Sequence, residues 1–277
     1  MISFRNKLNS VLFWFLIIIT ISFFLLPILW MFVTAFKLPA DYICETPNFF
    51  PTVWSMEHIT NIVKAGFFEK FLNTAIVSVS ATFISLILAF MAAYALVRYR
   101  FPAKLDLLFL ILVLIVKLMP PIVVALPLYE LLKTIGLLNT LAGLVLTYQI
   151  YTLPFAIWML LGFVRDVPKE IEEAAILDKT NLMQRLILIV LPLCGAGIAA
   201  TAIFTMILCW NEFLFALLYL QQPDNFTLPL YIANFITENE TFWGDLMGIG
   251  LLSSIPVLII AVFAQKYLLR GFSMGVK

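Results

Sequence analysis

Apolar positions gather along this chain into six long runs separated by short polar stretches. The runs cover roughly 11–36, 73–97, 105–128, 141–163, 189–220 and 246–265. Each supplies the ~20 mostly apolar residues that a helix needs to cross the core of a bilayer. The pattern therefore predicts an all-α, polytopic membrane protein of six transmembrane helices. The first run follows Arg5 and Lys7 and so imitates a secretory leader. Its apolar stretch outlasts the ~7–15 residues of a leader's core, and no small-residue cleavage site follows, so it is expected to remain a span.

Composition supports the membrane reading. The chain is 63% hydrophobic and 12% charged, with mean hydropathy +1.06, against ~45–50% apolar residues in soluble domains. A net charge of +1 without any basic run argues against nucleic acid as a partner. Cys44, Cys194 and Cys209 lack metal-ligand spacing, and the last two lie too far apart along one run to bridge. All three read as structural.

Lys and Arg set the expected orientation. With both termini inside, the inner segments hold Arg5, Lys7, Arg98, Arg100, Lys104, Arg165, Lys169, Lys179, Arg185, Lys266, Arg270 and Lys277. The outer segments hold only Lys37, Lys64, Lys70 and Lys133, and Lys117 lies within a span. This excess places both termini in the cytoplasm. The outer loops are then 37–72, 129–140 and 221–245, and the inner loops 98–104 and 164–188. Segment 37–72, with Pro39, Pro47 and Pro51 near aromatics, reads as a small ordered extracytoplasmic cap, and His58 within it as chemically idle. The domain division expected is 1–72, first span plus cap, and 73–277, a five-helix core carrying loop 164–188.

That loop is the most informative segment. Asp166 can cap a helix whose first turn tolerates Pro168, and Glu170, Glu172 and Glu173 suit the positive end of its dipole. Ile171, Ala174, Ala175 and Asp178 follow helical spacing, giving a small, mostly apolar face that a partner surface can approach closely. An ordinary solvated loop helix would show the same pattern.

The loop also resembles a known signature. Permease subunits of ABC importers carry E-A-A, three residues, G, nine residues, I-x-L-P, and Glu173-Ala174-Ala175, Ile189, Leu191 and Pro192 fall at those positions. Further segments are similar to the carbohydrate-type permeases, such as the second membrane subunit of the maltose transporter. They are Met119-Pro120-Pro121 with Pro127-Leu128-Tyr129, Gly136-Leu137-Leu138-Asn139-Thr140, Pro154-Phe155-Ala156-Ile157-Trp158, Val167-Pro168-Lys169-Glu170, Trp210-Asn211-Glu212-Phe213, and Gly271-Phe272 through Gly275-Val276-Lys277. The likeness runs from about residue 70 to the end.

The resemblance implies a type I ABC importer permease fold and a role for Glu170, Glu173, Ala174, Ala175, Asp178 and Lys179 in coupling to an ATPase. It also implies a second homologous permease, an ATPase dimer that binds ATP and Mg²⁺, and an external solute-binding protein in a bacterial inner membrane. In the family, loop 221–245 reaches toward the binding protein, which makes Gln222, Asp224, Asn225 and Thr227 the expected contacts. One departure stands out: the family's loop glycine is Lys179 here. A left-handed residue at that place would strain a lysine by ~1–2 kcal/mol; alternatively Thr180 or Asn181 caps the next helix and shifts the turn.

Candidates for the translocation path come from polar residues inside the runs. Lys117 lies about 18 Å into its run at helical rise, near the midplane, and Glu212 lies nearer the outer end of the fifth. Each should face the protein interior or water; for Lys117 the plainer reading is snorkelling or an internal ion pair, with Glu212 as one candidate partner. Thr201, Thr205, Cys209 and Glu212 share one helical face, with Asn211 beside it. Tyr148, Tyr151 and Thr152, next to Gln149, combine aromatic faces with hydrogen-bonding groups as sugars require, although helix packing explains them equally. Ser78, Thr82, Ser85 and Ala89 form a small-residue stripe that reads as close helix contact.

No Gly-x4-Gly-Lys-Ser/Thr loop occurs, so ATP is expected on a partner. No catalytic set or metal-ligand cluster is apparent, which argues against a membrane enzyme. The alternative is a self-contained, ion-coupled secondary transporter, for which Glu212 is the one deep carboxylate available.

Overall fold

The computed structural model describes the backbone of residues 2–42, 48–236 and 241–274, with side chains at 10, 12–42, 48–236 and 241–263. The charges of Arg5, Lys7, Lys266, Arg270 and Lys277, together with Cys44, Pro47 and the side chains of the terminal 271–277 motif, lie outside the described residues. Among those described, the chain is helical, apart from one isolated bridge between Ile236 and Thr241.

The helices are α1 (Ile2–Ala35), α2 (Glu57–Lys64), α3 (Phe67–Arg98), α4 (Leu105–Leu118), α5 (Pro121–Thr134), α6 (Leu141–Arg165), α7 (Lys169–Leu177), α8 (Leu182–Arg185), α9 (Leu191–Leu193), α10 (Gly195–Trp210), α11 (Leu214–Tyr219), α12 (Leu228–Ala233) and α13 (Trp243–Met274). Four of them, α1, α3, α6 and α13, are long and apolar enough to cross a membrane alone.

The other two expected spans are not straight. The third bends by 98° between α4 and α5. Met119 precedes a proline and is extended (φ −66°, ψ 133°), because the Pro120 ring disfavours helical backbone before it. The fifth bends by 79° before α10. A π-helical turn, Leu186–Val190, leads into Pro192, and the chain breaks at Cys194 before Gly195. A second break follows Trp210, so 189–220 is a chain of short helices.

The chain divides into two compact units. The first comprises 1–68 and 232–255, so the start of α13 joins the first span and the cap rather than the core. Between α1 and α2, Lys37 is buried; its Nζ donates to the Asn48 carbonyl and sits 4.3 Å from the Trp30 ring centre. Asp41, also buried, accepts from Thr52 N and Oγ1 at 3.1 Å each and from Asn48 Nδ2 at 3.3 Å. Burial pushes the Asp41 carboxyl up, but these hydrogen bonds and the charge of Lys37 outweigh it and hold the group below its ordinary value. A lowered value means that the group stabilises the cap above its unfolded pKa of about 3.8 and loses that contribution as pH falls further.

α2 sits against α13 because Gly244 and Gly248 leave room for it. A Cβ on Gly244 would lie 2.2 Å from His58 Nε2, and one on Gly248 2.7 Å from Ile62 Cδ1. The His58 Nδ1 to Asp245 Oδ1 contact of 2.8 Å fastens the two helices. His58 thus holds α2 and α13 together.

The second unit comprises 69–231 and 256–277. α6 is its centre, packed against α4, α10 and α11. The stripe Ser78, Thr82, Ser85 and Ala89 on α3 is buried, as expected for close contact. Gly197 brings α10 so near α6 that a Cβ there would meet the Phe163 ring at 2.1 Å. Two apolar clusters result. One gathers Val77, Ala81, Leu144, Val145, Tyr148, Phe215 and Tyr219; the other gathers Ala89, Phe90, Tyr94, Ala156, Leu160, Val164 and Val190. A polar layer separates them: Ser85 Oγ reaches Gln149 Oε1 and Thr152 Oγ1, both at 2.7 Å, and Gln149 Nε2 donates to the Ala81 carbonyl at 3.2 Å. These bonds satisfy groups that would otherwise be costly to bury.

Candidate functional site

Loop 164–188 forms a compact helix–turn–helix. α6 continues to Arg165, so Asp166 closes that helix instead of opening the next, and Pro168 takes the N-cap position of α7. Glu170 and Glu172 fill the first turn of α7, where the helix dipole favours carboxylates.

At the other end, Lys179 adopts φ +58°. Lys179 N–H donates to the Ile176 carbonyl at 2.9 Å and Thr180 N–H to the Ala175 carbonyl at 3.1 Å. These are the two bonds of a Schellman C-cap, with Lys179 as its left-handed residue. Asn181 then caps α8 in a full capping box, its side chain accepting from Gln184 N at 2.8 Å while Gln184 Oε1 accepts from Asn181 N at 2.9 Å. Of the two alternatives the left-handed turn is the one kept; Asn181 does cap the next helix, but the turn does not shift.

The inward face of α7 carries Glu172 and Ala175, both buried. Ala175 therefore does not belong to the outward face expected of it. Glu172 meets Arg98 Nε at 2.6 Å and accepts from the Tyr94 hydroxyl at 2.8 Å; Arg98 Nη2 donates to the Val167 carbonyl at 2.8 Å. Arg185 of α8 donates to the Thr180 carbonyl at 3.0 Å and lies beside Tyr94. Sequence reasoning missed this cluster. Its signals were the three-residue spacing of Glu172 and Ala175 and the four-residue spacing of Tyr94 and Arg98. The outward face carries Glu170, Ile171, Glu173, Ala174, Ile176, Leu177, Asp178 and Lys179, with Leu177 83% exposed.

The path candidates fall into separate environments. Lys117 is exposed in the last turn of α4, one residue before the bend, with Nζ 5.5 Å from the Phe155 ring centre; it does not pair with Glu212. Thr152, Thr201 and Thr205 are fully buried at helix contacts, and Thr152 belongs to the polar layer. Glu212 lies past the end of α10, and its carboxylate accepts from Phe215 N at 2.8 Å and Ala216 N at 3.3 Å, capping α11. Tyr148 adjoins that carboxylate, Tyr151 stacks on Phe215 at 6.2 Å, and Asn211 is exposed. The structure brings Tyr148, Tyr151 and Glu212 together and leaves Lys117 apart from them. The hydroxyls of Ser78, Tyr151 and Thr205 are buried without a hydrogen-bond partner.

The outer turns are tied by amides. Asn139 (φ +59°) accepts on Oδ1 from Gln221 N at 2.8 Å and Gln222 N at 3.1 Å, and its carbonyl accepts from Asn225 Nδ2 at 2.7 Å. Asn73 Nδ2 donates to the Asp224 and Phe226 carbonyls at 2.7 and 3.1 Å. Asn225 is therefore occupied and Thr227 is buried, which removes both from the expected contact set; Gln222 and Asp224 remain exposed.

Comparison with known proteins agrees with this architecture. Residues 81–274 match the family described as binding-protein-dependent transport system inner membrane component. The diacetylchitobiose uptake system permease protein DasC of Streptomyces coelicolor is 35% identical over 250 residues, 90% of each chain. The trehalose/maltose transport system permease protein MalG of Thermococcus litoralis is 32% identical over 260 residues, 91% of this chain and 90% of that one. Among solved structures, a bacterial ABC transporter involved in import of the acidic polysaccharide alginate superposes with TM-score 0.80 at 20% identity, covering 95% of this chain and 97% of its own. The fold is that of a type I importer permease. With a family match over most of its length and relatives above 30% identity along nine-tenths of it, this chain belongs to the binding-protein-dependent transport system inner membrane components.

Proposed function

We propose that this chain is a permease subunit through which an ATP-driven, binding-protein-dependent importer passes a carbohydrate (an oligosaccharide, disaccharide or polyol) across the inner membrane. Relatives named for diacetylchitobiose and for trehalose or maltose support the substrate class. Both termini and loop 164–188 face the cytoplasm, a reading that rests on the Lys and Arg excess. The subunit pairs with a second homologous permease, two ATPase subunits and an external solute-binding protein. ATP and Mg²⁺ belong to the ATPase subunits.

The observation that carries this reading is α7. It is a short helix capped tightly at its end, tied inward through Glu172, and presenting Leu177 with the charged Lys169, Glu170, Glu173, Asp178 and Lys179 outward. Such an element accepts a push without deforming. Closure of the ATPases on ATP moves α7 and switches the path between inward- and outward-facing states. In the path, the aromatic rings of Tyr148 and Tyr151 suit the apolar faces of a sugar, and Glu212 with the unpartnered hydroxyls suits its rim. Gln222 and Asp224 meet the binding protein.

The test is reconstitution of the purified complex with its ATPase and binding protein. ATP-dependent sugar uptake is expected, and Glu173→Ala or Asp178→Lys should leave assembly intact while uncoupling hydrolysis from transport. A chain that transports alone under an ion gradient, without an ATPase, would overturn the reading. A thermal-shift screen of the binding protein against sugars then identifies the cargo.

A further inference from the structure

α7 touches the rest of the second unit through more than packing. On α3, Tyr94 and Arg98 are one turn apart and both point at the same carboxylate, Glu172. Arg98 and Glu172 side chains are only 9% and 8% exposed, and they meet at 2.6 Å. The guanidinium divides its donors: Nε serves Glu172, and Nη2 serves the carbonyl of Val167, which lies just before α7 begins. From the far side of the loop, Arg185 binds the Thr180 carbonyl and comes up beside Tyr94. The start of the loop, the middle of α7 and the return into α8 thus converge on one turn of α3.

A planar guanidinium that bonds two groups at once fixes direction as well as distance. Greasy contacts alone would let α7 slide, because apolar packing has no directional preference. We infer that Tyr94, Arg98 and Glu172, with Arg185 beside them, are positioning residues that make α3 move with α7, so that a push on the loop is delivered to the helix bearing the buried Ser78–Ala89 stripe and the polar layer. This rests on the importer reading above and adds to it which helix receives the stroke and through which atoms. A merely structural anchor would hold the loop folded but would leave the number of ATP molecules spent per sugar unchanged.

The experiment uses the complete reconstituted complex and reads assembly, ATP hydrolysis and sugar uptake on the same preparation. Wild-type complex must first show ATP-dependent, binding-protein-dependent uptake; its absence would overturn the importer reading itself, an outcome separate from any change in the ATP-to-sugar ratio of a variant. Glu172→Gln keeps the shape and one acceptor but removes the charge that orients Arg98. It is expected to assemble and hydrolyse ATP while the ATP consumed per sugar rises about tenfold, within the usual range of allosteric coupling between sites. Tyr94→Phe, which leaves the ion pair in place, should raise the ratio in the same direction by less, and it carries the test alone if Glu172→Gln fails to assemble. Exchanging the charges, Arg98→Glu with Glu172→Arg, should restore part of the coupling lost on Glu172→Arg alone. An unchanged ATP-to-sugar ratio in assembled Glu172→Gln or Tyr94→Phe complexes would overturn the inference, as would a fall in assembly with a normal ratio in the complexes that remain.

Discussion

Two helix ends in the second unit follow the same design with different residues. α5 ends in a Schellman cap with Gly136 at φ +72°, closed by Gly136 N to Lys133 O at 3.2 Å and Leu137 N to Leu132 O at 2.8 Å. α7 ends in the same cap with Lys179 at φ +58°. Each turn then runs into a capped helix: Thr140 accepts from Gly143 N at 3.1 Å, and Asn181 accepts from Gln184 N at 2.8 Å. Glycine reaches this conformation without penalty, whereas a side chain meets its own carbonyl there at ~1–2 kcal/mol. The bonds closing the α7 cap, with the ties of Glu172 and Arg185 around it, outweigh that penalty. Backbone geometry in this loop is held by its surroundings more than by the intrinsic preference of residue 179.

The same two regions are anchored by different chemistry. The turn after α5 is tied to 221–225 by neutral amide bonds from Asn139, while loop 164–188 is tied to α3 by a buried ion pair. Their outward faces differ as well. Loop 164–188 shows Ile176, Leu177, Leu182 and Met183, and the turn at 221–224 shows Gln221, Gln222 and Asp224. A face with exposed apolar groups among its charges suits a partner that stays bound, and a wholly polar face suits one that comes and goes. That matches a resident ATPase for the first and a visiting binding protein for the second, as proposed.

The sharpest way to break the comparison is to remove its charged anchor. Arg98→Ala leaves Glu172 buried without its cation, and losing one partner of a buried pair costs ~3–5 kcal/mol. Thermal unfolding of the purified complex in detergent should show a larger fall for this variant than for any single substitution in the amide anchor or the two caps. Asn139→Ala comes next. It removes the acceptor of two exposed backbone N–H groups, which water can replace, and places an alanine in the left-handed region, for ~1–2 kcal/mol. Asn139→Asp, which keeps the acceptor, should recover most of that. Equal costs for Arg98→Ala and Asn139→Ala would mean that the ionic and amide anchors are interchangeable.

Much of this is legible in the sequence. Six apolar runs, the small stripe on α3 and the position of the loop follow from periodicity and from the spacing of Glu173-Ala174-Ala175 to Leu191-Pro192. The bends at Met119 and Cys194 are not, because hydropathy counts apolar residues and is blind to the proline that disfavours helical backbone at Met119 and to the break in helical geometry at Cys194 before Gly195. Ala175 reads as outward and Glu172 as a dipole charge, since helical spacing shows which residues share a face but not which face turns inward. Lys117 and Glu212 look paired on straight spans; once both spans bend, Lys117 ends one helix and Glu212 caps another. Asn225 looks free because its long-range hydrogen bond to Asn139 leaves no local pattern, and the burial of Thr227 leaves none either.

A smaller effect separates docking from folding. Leu177 is 83% exposed, so Leu177→Ser should change the stability of the isolated chain by no more than about 0.5 kcal/mol. Against the ATPase it should lose ~1–2 kcal/mol of apolar burial, read as weaker co-purification. Unchanged recovery of the ATPase would mean that the exposed face of loop 164–188 is not its seat.

The smallest expected effect tests the two helix caps against each other. Lys179→Gly removes the side-chain strain of a left-handed lysine, worth ~1–2 kcal/mol, and adds unfolded-chain freedom that costs ~0.5–1 kcal/mol. The net is a gain of between about 0 and ~1.5 kcal/mol, with coupling unchanged or improved. Gly136→Ala is its mirror. No atom lies within 4 Å of the added Cβ, so space is not limiting and only the φ of +72° opposes the change. It should lose about 1 kcal/mol. Opposite signs for the two variants would establish that both caps share one conformational penalty. A loss on Lys179→Gly would instead mean that the lysine side chain makes a contact worth more than the strain it carries, and its exposed position points to the docked ATPase as the source of that contact.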